Sequence, residues 1–233
     1  ASPPSRATPA SRASRAPRAR SDASAMTTSS FRAGPRSGHG LVLVRGHARA
    51  SARWLKRGLV PVAAVELPGW TGICLTEATA RTAPPYDVGL EVLAARPTPT
   101  RRRPSIGLFV IDGCAIVTVQ QRGWRADQRW LVWQPGHGVR RTPDLAPLPA
   151  SLITATAGST VTAKEVADHF SVTTGQPVDR LCGLLSLLGL PGESLLRGGA
   201  PSDAETVEPT RGSVRRFDHL VHGDEGPQPV VPS

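Results

Sequence analysis

The sequence predicts an α+β domain on a mostly antiparallel sheet, with a C-terminal helical segment and disordered termini. Three observations carry this prediction. Residues 105–134 hold two apolar runs separated by Asp112-Gly113, and a third run, Gln128 to Gln134, follows a short polar loop. Asp-Gly between apolar runs is a strong hairpin signal, so the segment reads as a three-stranded meander. Upstream, short apolar runs alternate with two segments of helical spacing. Downstream, Thr162-Ala163-Lys164-Glu165 is a capping-box signature, and Leu181, Leu184, Leu185 and Leu188 follow on one helical face.

The elements can be taken in order. Leu41 to Arg45 is a strand. His47 to Arg57 is a helix with Ala48, Ala52, Leu55 and Leu59 near helical spacing, and Gly58 stops it. Val60 to Leu67 and Trp70 to Thr76 are strands joined by the turn Pro68-Gly69. Asp87 is the expected N-cap of a helix over 88–95. A loop, 97–104, leads into the meander. The order β-α-β-β-α-β resembles the split βαβ of ferredoxin-like domains, extended here by two further strands.

The first meander strand is apolar at both parities: Ile106, Leu108 and Val110 share one face, Phe109 and Ile111 the other. A strand apolar on both faces is buried on both, so this hairpin belongs at the centre of the sheet. The two upstream helices cover one face. The 140–200 region, or a second copy of the chain in a homodimer, covers the other. Trp130 and Trp133 have opposite parity and form no common stacking platform.

The expected organisation is a basic head over 1–37, an α+β domain over 38–135, a Pro/Gly-rich linker over 136–148, a helical segment over 149–198 and an acidic tail over 199–233. The helical segment holds a short helix over 151–157, the capped helix to Phe170, and a third helix over 178–188 closed by Gly189 and Pro191. In the tail, residues 215–221 form a small apolar island.

The net charge of +10 invites a nucleic-acid reading. Only two of the 28 basic residues are Lys, and the chain has no Asn. That bias points first to the codon usage of a high-GC bacterial genome. The charge is uneven: residues 1–36 carry seven Arg and one acid, residues 201–233 three Arg and six acids. The head reads as text upstream of a start at Met26, as a basic arm, or as a transit peptide, in that order. Cys74, Cys114 and Cys182 are odd in number and each lies in an apolar stretch, which suits buried free thiols in a reducing cytoplasm and no zinc site. No apolar run is long enough to span a bilayer.

Two stretches point toward macromolecular binding. Residues 162–189 resemble the helix-turn-helix of bacterial regulators. Glu165-Val166-Ala167 stands in the first helix, Ser171-Val172-Thr173 in the turn, and Val178 and Arg180 in the recognition helix. The resemblance implies that Gln176, Asp179 and Arg180 enter a major groove. Its spacing from Ala167 to Val178 is one residue longer than the family pattern, and Pro177 stands at the start of the recognition helix. The second stretch is the first helix, where Arg49, Arg53, Lys56 and Arg57 recur at three- and four-residue spacing around Trp54. A solvated face is the simpler account of it; a phosphate-tracking face with a stacking Trp is the functional one.

Catalytic motifs are absent: no His-Glu-x-x-His, P-loop, Gly-x-Ser-x-Gly or Gly-x-Gly-x-x-Gly occurs. No cofactor is expected. The leading expectation is a non-enzymatic bacterial interaction or regulatory protein that binds a protein partner or another macromolecule in the cytoplasm. A DNA-binding regulator using residues 162–189 is the alternative, and a small enzyme or ligand-binding domain is third.

Overall fold

The computed structural model describes residues 39–123 and 127–223. The head, Trp124 and residues 224–233 lie outside the described residues.

The ββ turns form where the local chemistry requires them. Strands β4 (Ser105–Ile111) and β5 (Cys114–Gln120) pair antiparallel with Ile111 opposite Cys114, which leaves Asp112-Gly113 as the turn. Both turn residues have positive φ, 49° and 70°, the conformation of a type I′ turn that Asp and Gly tolerate. Strand β6 (Arg129–Gln134) completes the meander beside β5. Strands β2 (Val62–Leu67) and β3 (Trp70–Leu75) are joined by Pro68-Gly69, with Leu67 opposite Trp70.

Strand β1 (Gly40–Arg45) pairs antiparallel with both β3 and β4. The order β4-β1-β3-β2 is therefore the split βαβ arrangement that the element order suggested. Helices α1 (Ala48–Leu55) and α2 (Gly89–Ala95) place Leu55, Leu93 and Ala94 in one cluster with Val42, Val44, Ile73 and Phe109, so both lie on one face of the sheet. Helix α2 is capped by Val88 and not by Asp87, whose carbonyl instead accepts the Ala80 N–H at 2.7 Å.

The central position of the meander is as expected: β4 lies between β5 and β1 in an eight-stranded sheet. Its other face carries Leu41, Leu43, Ile106, Leu108, Val117 and Trp133. Helices α3 (Ala150–Ala157), α4 (Ala163–Ser171), α5 (Pro177–Leu188) and α6 (Glu193–Gly198) cover it with Ile153, Phe170, Leu181, Leu184 and Leu196. The chain itself thus supplies the cover for which a homodimer was the other candidate.

The expected linker is part of the sheet. Strand β7 (Gly138–Arg140) pairs with β6, and Trp130 exchanges backbone hydrogen bonds with Ala146 and Leu148 at 2.8 Å each. Much of the expected tail is also folded. Strand β8 (Thr206–Val207) pairs with β2, and helix α7 (Arg211–His222) runs outside α1 and α2. Neither carried a long apolar period. The strand is two residues long, and no residue of α7 is buried.

Candidate functional site

A groove of about 1100 Å³ is bordered by the C-terminal end of α1, the α2 helix with the loop after it, and α7. Trp54, Leu59 and Val92 form its floor, and Tyr86, Phe217 and Leu220 form apolar walls. Arg53 on α1, Lys56 and Arg57 in the turn after it, and Arg216 on α7 also line the groove. Among the described residues no acidic side chain lines the groove. None of these four cations forms an ion pair with a described residue, although the molecule has such pairs elsewhere, as at Arg197–Asp179.

One cation in this wall is structural. The Arg96 guanidinium lies 4.5 Å over the Trp54 ring and donates to the Trp54 carbonyl and, at 3.4 Å, to that of Leu55. It thereby brings a charged donor to the C-terminal end of α1, where the same two carbonyls also accept from Arg57 and Gly58 N–H. Burial pushes its pKa down to about 10, which leaves it charged at neutral pH. Gly58 makes room for it: a Cβ there would stand 2.8 Å from the Arg96 Cζ.

Helix α7 is held by few contacts. The Thr210 N–H donates to the Lys56 carbonyl at 2.9 Å, and the Thr210 hydroxyl caps the helix by accepting from Ser213 N–H. Thr82 Oγ1 donates to Asp218 Oδ1 at 2.7 Å, and Tyr86 meets Phe217 edge-to-face at 5.2 Å. Leu220 stays 78% exposed and Tyr86 40%. Both side chains line the groove, and apolar surface gathered in one concavity is a feature of contact sites.

The expected site residues divide between two places. Arg53, Lys56 and Arg57 meet in the groove; Arg49, one turn earlier on α1, is exposed outside its lining. The neighbouring basic residues do not join them. Arg45 lies 3.8 Å over Trp70 and donates to the Ala157 carbonyl, closing the end of α3. Arg102 donates to the Ala50 carbonyl, and Arg103 to those of Thr98 and Gly123. The groove residues that sequence reasoning missed are those of α7, although the apolar island at 215–221 marked their position.

Gln176 and Arg180 lie on the other side of the sheet. The predicted capping box opens α4: Thr162 Oγ1 accepts from Glu165 N–H, and Glu165 accepts from Thr162 N–H at 2.8 Å. The Thr162 N–H, and after it the Thr162 hydroxyl, donate to the Glu165 carboxylate and hold its pKa below the ordinary value. Helix α5 starts at Pro177 and ends at Gly189 in the left-handed conformation, with Leu190 N–H bonded to the Leu185 carbonyl. Gln176 is its exposed N-cap. Arg180 turns inward. Its guanidinium donates to the His169 and Thr174 carbonyls at 2.7 Å each and lies 5.0 Å over Trp133. His169 Nε2 donates back to the Arg180 carbonyl at 2.8 Å. The outer surface of α5 presents only Asp179 and Ser186 as fully exposed residues, and Asp179 is paired with Arg197.

A polar cluster at the end of α2 is also fully engaged. Gln120 accepts from Thr98 N–H and donates to Gln128, which donates to the Ala94 carbonyl. Among the described residues no group of His, Cys, Asp and Glu side chains is placed to hold a metal ion, and no helix is long and apolar enough to cross a membrane. Comparison of the chain with protein-family models, curated proteins and solved structures finds no match.

Proposed function

We propose that this chain is a non-enzymatic interaction protein of regulatory type, and that the macromolecule it binds seats in the groove between α1, α2 and α7. The proposed setting is the cytoplasm of a high-GC bacterium, a reading supported by the Arg-rich, Asn-free composition. The observation that carries the reading is the groove itself: an apolar floor and exposed Leu220 beside four cations without an ion-pair partner among the described residues. A solvent face has no need of the apolar part, and a core has no room for the cations.

DNA binding through α4 and α5 is the second reading, supported by the helix pair and the exposed Gln176. It has less support. A recognition helix needs side chains free to reach base edges, and the Arg180 guanidinium is occupied by two carbonyls of its own domain.

Site-directed photocrosslinking tests the proposal. A benzophenone side chain at position 220 should capture a partner in the cells that make the protein. The same group at Val139, exposed on β7, should not. Capture from position 220 should disappear when Arg53 and Arg57 are both changed to Glu. Equal products from both positions, or none from 220, refute the reading.

A further inference from the structure

We infer that the partner is a protein, and that an amphipathic helical segment with acidic residues along its flanks fills the groove. The inference rests on the groove being the contact surface and goes on to name the chemistry of what enters it.

Charge is the first argument. Arg53 on α1, with Lys56 and Arg57 in the turn that ends it, and Arg216 on α7 line the groove, and no acid among the lining residues offsets them. The occupant must therefore bring negative charge to both borders. The apolar surface is the second. Leu59, Val92 and Leu220 are aliphatic, and covering them gains free energy only against an apolar face.

A single-stranded nucleic acid satisfies the first condition and not the second. It also needs open aromatic faces. Arg96 lies over the Trp54 ring, and Tyr86 and Phe217 are set edge-to-face at 87°. A duplex offers no apolar surface to the floor.

The backbone decides the conformation of the occupant. Where a groove borders an open sheet edge, an extended peptide can add a strand; where it runs between helices, a helix lies in it. This groove is lined from α1, α2 and α7 and the loops beside them. Three carbonyls at its edge are occupied, those of Trp54 and Leu55 by Arg96 and by the Arg57 and Gly58 N–H groups, and that of Lys56 by Thr210 N–H. A segment that enters must therefore satisfy its own main chain, as a helix does.

The test uses the full chain and four labelled probes, followed by fluorescence anisotropy. Three are peptides of about 18 residues, long enough to populate a helix in water. The first has Leu at i, i+3, i+4 and i+7 positions and Glu on the flanks. The second replaces Glu by Lys, and the third replaces Leu by Ser. The fourth probe is a single-stranded oligonucleotide. The acidic Leu peptide should bind at least about tenfold more tightly than either altered peptide, the factor expected when several modest contacts add. The doubly substituted Arg53→Glu, Arg57→Glu protein should reverse the preference between the Glu and Lys peptides. Leu220→Ser should weaken the acidic Leu peptide and leave the oligonucleotide unchanged.

Equal affinity for the Glu and Lys peptides, an unreversed preference, or no binding of the acidic Leu peptide at about 1 mM overturns the inference. So does tighter oligonucleotide binding that falls with Leu220→Ser. The two readings fail separately. Crosslinking from position 220 to a nucleic acid, or to a basic segment, removes the acidic-helix inference and leaves the groove as the contact surface. No capture from 220 removes both.

Discussion

Truncating Arg180 to Ala is expected to destabilise the protein strongly, and that outcome decides how a loss of DNA binding in the same variant should be read. The guanidinium makes two charge-assisted hydrogen bonds, to the His169 and Thr174 carbonyls at 2.7 Å each, and lies 5.0 Å over the buried Trp133 ring. Hydrogen bonds to charged groups contribute about 1.5–3 kcal/mol each. The contact with the ring adds about 0.5–1 kcal/mol. Against this, Nε is buried without a partner, an existing cost of about 1–3 kcal/mol that truncation removes. The Thr174 bond is exposed to solvent, which lowers its share. The balance is a loss of about 2–4 kcal/mol, or roughly 4–16 °C in Tm for a domain of this size. Calorimetry and urea unfolding of the wild type, Arg180→Ala and Arg180→Lys measure it. Lys reaches one carbonyl at most, so it should recover only part of the loss. A Tm for Arg180→Ala within about 2 °C of wild type refutes the bridging role and returns Arg180 to the surface as a candidate DNA contact.

Three further outcomes follow from the same geometry. His169 is held below its ordinary pKa of 6.5, first by burial, so its neutral form is favoured by folding. Stability is therefore complete above about pH 6.5 and falls as pH drops through the lower folded value; His169→Gln should flatten this slope in urea titrations. Burial pushes Cys74 up to about 11 and raises Cys182, while Cys114 is only half-buried at the start of β5. Alkylation of the native protein followed by mass mapping should mark Cys114 first, and Cys74 or Cys182 only on unfolding; early labelling of Cys74 contradicts the packing described. Gly58→Ala should displace the Arg96 guanidinium from the end of α1 and cost about 1–3 kcal/mol, measured as a fall in the urea midpoint; an unchanged midpoint shows that Arg96 moves aside freely.

The amino-acid sequence by itself determined the order of the main elements through Leu188, strand β7 excepted, and most of their boundaries. Each rests on chemistry within a few residues: Asp112-Gly113 accepting positive φ, Thr162 and Glu165 closing a capping box, Gly189 taking the left-handed turn after α5. The two-sided apolar character of β4 likewise placed it at the centre of the sheet before any pairing was known. What only the tertiary structure decided is everything whose partner is distant in the chain. Strand β8 is two residues long and exists because β2 offers an edge. Helix α7 buries no residue, and its position depends on contacts such as Thr82 with Asp218, 136 positions apart. The groove is assembled from three separate segments, so the basic stripe on α1 was legible while the apolar wall opposite it was not. Arg180 is the sharpest case. Its spacing on α5 matches an outward recognition residue, but two carbonyls exposed by the α4–α5 turn lie within its reach, and a guanidinium satisfies open carbonyls wherever the fold presents them.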